Sequence, residues 1–176
     1  SQWWFSLDTV QKLSERVWEL SENKPAAFLG TPTVGYHFTH CFNSEATIFD
    51  NDPDVINSLK LPANGNAIIY DAHDPPPDEV KKIHSVVLLD PPWYKEITDL
   101  FLSRARSFLN DSGYILCVLP SRLTRPGLIS ERTDLLNKLL SSHFEVVSLE
   151  SGFVRYRVPE FEEKVLWLNE DMIRGK

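Results

Sequence analysis

Val10, Leu13, Val17 and Leu20 recur at helical spacing behind Ser6, a side chain that can cap a helix whose first turn carries Asp8. This pattern predicts a helix from about Leu7 to Leu20, ended by Asn23-Lys24-Pro25. The short apolar run Ala26–Leu29 then closes on Gly30-Thr31-Pro32, as a buried strand entering a tight turn does. Thr33–Phe42 reads as helix. The unit repeats: Ala46–Phe49 ends at Asp50 before a helical segment Pro53–Leu59, and Ala67–Tyr70 ends at Asp71. After the proline-rich loop Asp74-Pro75-Pro76-Pro77 and a short helix through Val80 and Ile83 comes Ser85–Leu89, the most strongly apolar strand in the pattern. It runs straight into Asp90-Pro91-Pro92-Trp93. An amphipathic segment from Tyr94 to Asn110, a buried strand Tyr114–Leu119 and a helix from Ser130 to Ser142 follow. The last part changes character, with strand-like runs at Phe144–Leu149, Phe153–Val158 and Val165–Leu168.

Strands that are apolar throughout and alternate with helices predict a parallel sheet covered on both faces. The closely spaced final strands predict an antiparallel edge. At 176 residues without a visible linker the expectation is one domain, residues 1–176, forming an α/β sandwich.

Composition adds constraints on partners. Lys and Arg number 18 against 25 Asp and Glu, a net charge of −7, which disfavours unaided tight binding to nucleic acid because that affinity comes from cations neutralising phosphates. A nucleic-acid substrate then needs a local basic patch or a partner subunit. No apolar run reaches the roughly 20 residues that span a bilayer, and SQWWFSLDTVQ lacks the pattern of a secretory leader. The expectation is a cytoplasmic protein without membrane contact. Cys41 and Cys117 stand outside any CxxC pattern, so neither a disulfide framework nor a thiolate metal site is indicated.

In an open parallel sheet, ligands bind beyond the carboxyl ends of the strands, near the point where strand order reverses. Three such ends carry an acid: Asp50, Asp71 and Asp90. Asp50, at the end of the second strand of the alternating pattern, has the place of an acid that holds the ribose hydroxyls of an adenosine-containing cofactor. Each aspartate also has an ordinary explanation as a turn or cap residue. No GxxxxGK[ST] loop and no GxGxxG turn is present, so triphosphates and dinucleotides lack their usual cradle. A cofactor with adenosine but no phosphates remains, and S-adenosyl-L-methionine fits that description.

Asp90-Pro91-Pro92-Trp93 is the sharpest signal in the chain. Its prolines fix φ near −65° and remove two N–H donors, which makes a stiff loop. In it the Asp90 carboxylate and the Pro91 carbonyl are acceptors, and Trp93 presents a flat face. That combination suits a planar substrate bearing an NH2 group: two acceptors for its hydrogens, one indole to stack on, worth roughly 1–3 kcal/mol. The lone pair of such an amine is delocalised into its ring, and hydrogen bonds that draw the nitrogen toward tetrahedral geometry localise it toward an incoming methyl group. Asp74-Pro75-Pro76-Pro77 shares the first three residues but lacks the aromatic and follows no strongly apolar strand, so it reads as a loop.

On these residues the chain resembles the class I S-adenosylmethionine-dependent amino methyltransferases, whose signature is Asp/Asn/Ser-Pro-Pro-Tyr/Phe/Trp at the end of the fourth strand. More narrowly it is similar to the group named probable N6-adenine methyltransferases, which includes eukaryotic lysine methyltransferases of an elongation factor. Gln2-Trp3-Trp4-Phe5-Ser6 is similar to the Gln-Phe-Trp-Tyr-Ser start of that group, and Phe28-Leu29-Gly30-Thr31-Pro32-Thr33-Val34 to its strand-to-Ser/Thr-Pro-Ser-Val turn. The resemblance implies a Rossmann-like class I methyltransferase sandwich, a mostly parallel seven-stranded sheet with an antiparallel edge. It implies catalysis at Asp90, Pro91, Pro92 and Trp93. Gly30, Thr31 and Pro32 would lie beside the cofactor's methionine part, Asp50 would hold the ribose, Asp71 would lie near the adenine, and Trp4 or Phe5 would line the same pocket. The glycine-rich first motif of most class I methyltransferases is missing, as it is in the narrower group.

Three activities follow as alternatives: methyl transfer to adenine N6 of RNA or DNA, methyl transfer to a protein lysine, and a non-catalytic subunit that keeps the fold to bind a partner. Weaker candidate sites are a helical His37, His40, Cys41 set, read as packing rather than metal binding, a basic stretch with Arg122, Arg125 and Arg132, and the late pair Arg155 and Arg157.

Overall fold

The computed structural model describes residues 4–120, 127–141 and 144–157. Its elements in chain order are β1 (Trp4–Phe5), α1 (Leu7–Ser21), β2 (Ala26–Leu29), α2 (Pro32–Cys41), β3 (Ala46–Asp50), α3 (Pro53–Ser58), β4 (Gly65–Ile69), β5 (His84–Leu89), α4 (Lys95–Phe108), β6 (Leu109–Cys117), α5 (Leu128–Ser141) and β7 (Tyr156–Arg157).

Five strands form a parallel sheet in the order β4-β3-β2-β5-β6. The chain builds outward from β2 through β3 to β4, then returns to place β5 on the other side of β2. Strand order therefore reverses between β2 and β5, whose last residues, Leu29 and Leu89, lie side by side. Every residue of β2, β3 and β5 is buried, as sequences that are apolar on both faces require. One face packs Phe28, Ile48, Val86 and Leu88 under Val10, Leu13 and Val17 of α1 and Val34 and Phe38 of α2. The other packs Leu29, Phe49, Val87 and Leu89 against Ala105 and Phe108 of α4, with Phe49 and Phe108 stacked at 4.4 Å.

The expected fold class holds, with five parallel and two antiparallel strands among the described residues. The antiparallel pair is not a late hairpin, however. β7 pairs with β1, Trp4 opposite Arg157 and Phe5 opposite Tyr156, as a two-stranded sheet separate from the main one. Residues 144–149, expected as a strand, belong to no helix or strand. Val165–Leu168 lies outside the described residues. The helix expected through Val80 and Ile83 is a single 3-10 turn at Asp78–Val80, cut short where Lys82 takes a left-handed φ of 57°. Leu109–Asn110, expected to end a helix, instead opens β6, because the backbone turns extended at Leu109.

Candidate active site

Strand order reverses at the carboxyl ends of β2 and β5, the place where a doubly wound sheet forms its ligand crevice. On the β2 side the chain turns at Gly30, whose φ of 67° is left-handed. A Cβ there would meet the Phe101 ring at 3.3 Å and the Asp90 carbonyl oxygen at 3.6 Å, so the glycine lets the two strand ends approach. Thr31 and Pro32 are buried at the start of α2, with Pro32 in the first turn. The Thr31 hydroxyl caps nothing. Its Oγ1 is buried with no hydrogen-bond partner, the one such side-chain atom found among the described residues. A buried, unpaired hydroxyl costs about 1–3 kcal/mol, and it stands at the positive end of a ten-residue helix whose Val34 amide already donates to the Thr31 carbonyl at 3.1 Å. That end of the crevice is suited to a carboxylate.

Asp50 ends β3, only 7% exposed. Its Oδ1 accepts the Asp52 amide at 3.0 Å, and burial raises its pKa above the ordinary 3.8. Asp71, by contrast, is exposed and locally engaged. Its Oδ1 accepts both the His73 amide at 2.9 Å and the His73 ring at 2.8 Å, which holds its pKa below the usual range.

On the β5 side, Asp90 leaves the strand end and enters the Pro91-Pro92-Trp93 loop. Burial pushes its carboxyl up from 3.8 to about 7, with a hydrogen bond from Tyr156 acting in the opposite direction. The Tyr156 hydroxyl donates to Asp90 Oδ1 at 2.7 Å. The Trp93 side chain bonds to the same hydroxyl, and since an indole has only a donor, the order is Trp93 N–H to Tyr156 oxygen, Tyr156 O–H to Asp90. The Trp93 and Tyr156 rings meet edge to face at 5.9 Å, and Phe5 stacks on Tyr156 at 5.0 Å. The Cys117 thiol beside Asp90 is pushed up to about 12 and stays neutral.

The sequence-derived residues thus divide. Gly30, Thr31, Asp90, Trp93 and Phe5 converge on the crevice, Phe5 through Tyr156. Pro91 is buried and Pro92 exposed in the same loop. Trp4 is 38% exposed on the β1–β7 ribbon. Asp50 stands one strand away from the reversal, at the end of β3, and Asp71 follows β4 at the sheet margin. Tyr156 went unrecognised in the sequence. Its residue type and its place in a short late strand are unremarkable, and its partner lies 66 residues away.

The weaker candidates separate as well. Arg122 and Arg125 lie outside the described residues, while Arg132 donates to the Pro120 carbonyl at 3.4 Å. Together with Lys95, Thr98 and Leu128 it lines a cavity on the α4–α5 side of Trp93. Arg155, just before β7, and Arg157, at its end, are both exposed. His37 approaches Cys41 Sγ at 3.5 Å and Ser14 at 3.1 Å, and His40 bonds the Tyr36 carbonyl. Among the described residues no group of three His, Cys, Asp or Glu stands together to hold a metal ion, and no helix is long and apolar enough to cross a membrane.

No curated protein matches the chain. Solved structures do. A branched-chain polyamine synthase from Thermus thermophilus, in complex with N4-aminopropylspermidine and 5'-methylthioadenosine, superposes with a TM-score of 0.75 at 17% identity, over 93% of this chain and 50% of that one. The tRNA (m1A58) methyltransferase of Aquifex aeolicus gives 0.55 at 12% identity, over 86% and 63%. A SAM-dependent methyltransferase from Archaeoglobus fulgidus gives 0.52 at 15%, over 91% and 85%. At such identities the likeness is one of fold, a Rossmann-like methyltransferase fold. The chain spans about half the length of the first structures it matches, 49%, 50% and 48%. The profile of one family covers most of the sequence: residues 1–157 match the family described as Probable N6-adenine methyltransferase, and the chain belongs to it.

Proposed function

We propose that this chain is an S-adenosyl-L-methionine-dependent N-methyltransferase whose acceptor is the N6 amine of adenine in RNA or DNA. The observation that carries the reading is Asp90: a partly buried, desolvated carboxylate at the strand-order reversal, held in a proline-stiffened loop beside Trp93. The family description adds the adenine amine.

The crevice fits the cofactor in kind. The orphaned Thr31 hydroxyl and the α2 N-terminus suit the carboxylate of its methionine part, and the desolvated Asp50 suits paired ribose hydroxyls. Asp71, already engaged by His73, is the weakest of the proposed cofactor contacts. When bound, the cofactor supplies an electrophilic sulfonium methyl.

The chain's own residues then act on the amine. Asp90 accepts one N–H through the oxygen that Tyr156 does not use, and the Pro91 carbonyl accepts the other. The base stacks on the Trp93 face. These contacts turn the nitrogen lone pair out of conjugation and toward the methyl, and fixing the two centres in line removes entropy that a bimolecular encounter would otherwise lose. The proton released as the N–C bond forms passes to Asp90, which near pH 7 is matched to receive it.

Recognition of a long nucleic acid is assigned to a partner subunit or to chain beyond this sequence, given the net charge of −7. The same acidic balance favours a second reading, a protein lysine acceptor, because a carboxyl titrating near neutrality can also take the proton of an ammonium.

The test is transfer of labelled methyl into a cell extract by wild type and Asp90→Ala, followed by separate nuclease and protease digestion. Label that depends on Asp90 and is released by nuclease supports the adenine reading. Release only by protease moves the lysine reading to first place, and no label from wild type leaves the non-catalytic partner subunit.

A further inference from the structure

We infer that Tyr156 is the positioning residue for Asp90: the β1–β7 ribbon carries its hydroxyl across the crevice to fix one carboxylate oxygen, so that the other faces the acceptor amine. The inference rests on the proposed amine methylation.

The ribbon is bolted in place at several points. The Ser6 amide donates to the Arg155 carbonyl at 2.9 Å, and the Arg155 amide donates to Thr9 Oγ1 at 2.9 Å. Thr9 Oγ1 also accepts from the Ser6 hydroxyl, the N-cap of α1, at 3.0 Å. Further along, Arg16 pairs with Glu150 at 2.8 Å and lies 5.5 Å from the centre of the Phe153 ring. The strand that bears Tyr156 is thereby tied to the first turns of α1, independently of the crevice. Phe5, 6% exposed, stacks on one side of the Tyr156 ring and Trp93 meets it edge on. The phenol is left little rotational freedom, and its oxygen stands 2.7 Å from Asp90 Oδ1.

This chain of contacts has a chemical consequence. A carboxylate free to rotate can offer either oxygen in many directions, whereas one held at Oδ1 presents Oδ2 in a single direction. A donor to the charged form also keeps a buried carboxylate ionised at lower pH than burial alone would allow. The titratable side chains that bear on Asp90 among the described residues are Tyr156 from β7 and Cys117 from β6. Both are displaced upward, so both are neutral across the range in which Asp90 ionises. The Trp93 indole donating to the same phenol couples the stacking platform to the acceptor carboxylate, so the base and its amine are gripped by one connected unit.

Tyr156→Phe tests this, because it keeps the ring between Phe5 and Trp93 and removes only the hydroxyl. The first readout needs no activity: the Asp90 carboxyl is followed by carbon-13 NMR in the free chain, with Asp90→Asn to assign it. Its midpoint is expected to rise by about one pH unit or more in Tyr156→Phe, the scale of a lost hydrogen bond to a charged group. The second readout is kcat against pH, with cofactor KM alongside. A loss of roughly tenfold at pH 7, largely recovered by pH 9 with KM unchanged, is expected. An unmoved midpoint, or a kcat loss equal at every pH, overturns the inference. Should wild type transfer no methyl, the proposed function fails, and the carboxyl titration alone then decides the Tyr156 contact.

Discussion

Replacing Asp90 by Asn should make the protein more stable at alkaline pH while removing its methyl transfer. In the fold the Asp90 carboxyl titrates at about 7, against 3.8 for the exposed group. An acid whose pKa is raised on folding binds its proton more tightly in the native state. Its contribution is therefore fully present below pH 3.8 and is lost as pH rises through 7. At about 1.4 kcal/mol for each pH unit of that interval, the ionised native state carries a cost on the order of 4 kcal/mol above pH 8. Asn is nearly isosteric, does not titrate, and can still accept the Tyr156 hydroxyl through its amide oxygen. Urea denaturation followed by tryptophan fluorescence, in wild type and Asp90→Asn from pH 4 to 9, reads the difference directly. The two proteins should converge near pH 4. By pH 8 the variant should lead by several kcal/mol, with m unchanged. Taking the difference also removes His84, whose pH dependence has the opposite sign and is common to both proteins. A gap that stays constant with pH, or a variant less stable throughout, would refute the claim that burial and not pairing governs this carboxyl.

Two further outcomes concern the scaffold. His84 is wholly buried between the Phe108 carbonyl at 3.2 Å and Thr47 Oγ1 at 3.1 Å, and burial lowers its pKa from 6.5 to about 4. Here the stabilisation is complete above pH 6.5 and is lost as pH falls to 4, about 3 kcal/mol in all; His84→Gln should flatten the acid limb of the denaturation profile, and an equally steep limb would sink the assignment. In α2, a Cβ on Gly35 would stand 2.6 Å from Ile48 Cγ1 and 3.0 Å from Phe28 Cγ, two fully buried side chains. Gly35→Ala gains up to about 1 kcal/mol of helix propensity but forces overpacking that typically costs 1–3 kcal/mol. The net expectation is a urea midpoint below that of wild type; a raised one would show that α2 can lift off β3 at little cost.

The alternation of helix and buried strand, and the loop that ends β5, were legible in the order of residues. Those features are local: burial on both faces writes itself as largely apolar runs at Ala26–Leu29, Ala46–Phe49 and Ser85–Leu89, and two prolines stiffen Asp90-Pro91-Pro92-Trp93 wherever it lies. Even the breaks at Asn23-Lys24-Pro25 and Gly30-Thr31-Pro32 fell close to the observed ends of α1 and β2. The tertiary structure alone decided which strand ends adjoin. The order β4-β3-β2-β5-β6 sets Gly30 against the Asp90 carbonyl, although 60 positions separate them in the chain. It also decided that β7 pairs with β1, since two-residue strands are too short to show any periodicity, and the reason for their pairing lies in the Ser6, Thr9 and Arg155 bonds that neither segment reveals alone. The contact between Tyr156 and Asp90 follows from that pairing. Folding brings the Tyr156 phenol to 2.7 Å from the Asp90 carboxyl, where burial strengthens the hydrogen bond between them.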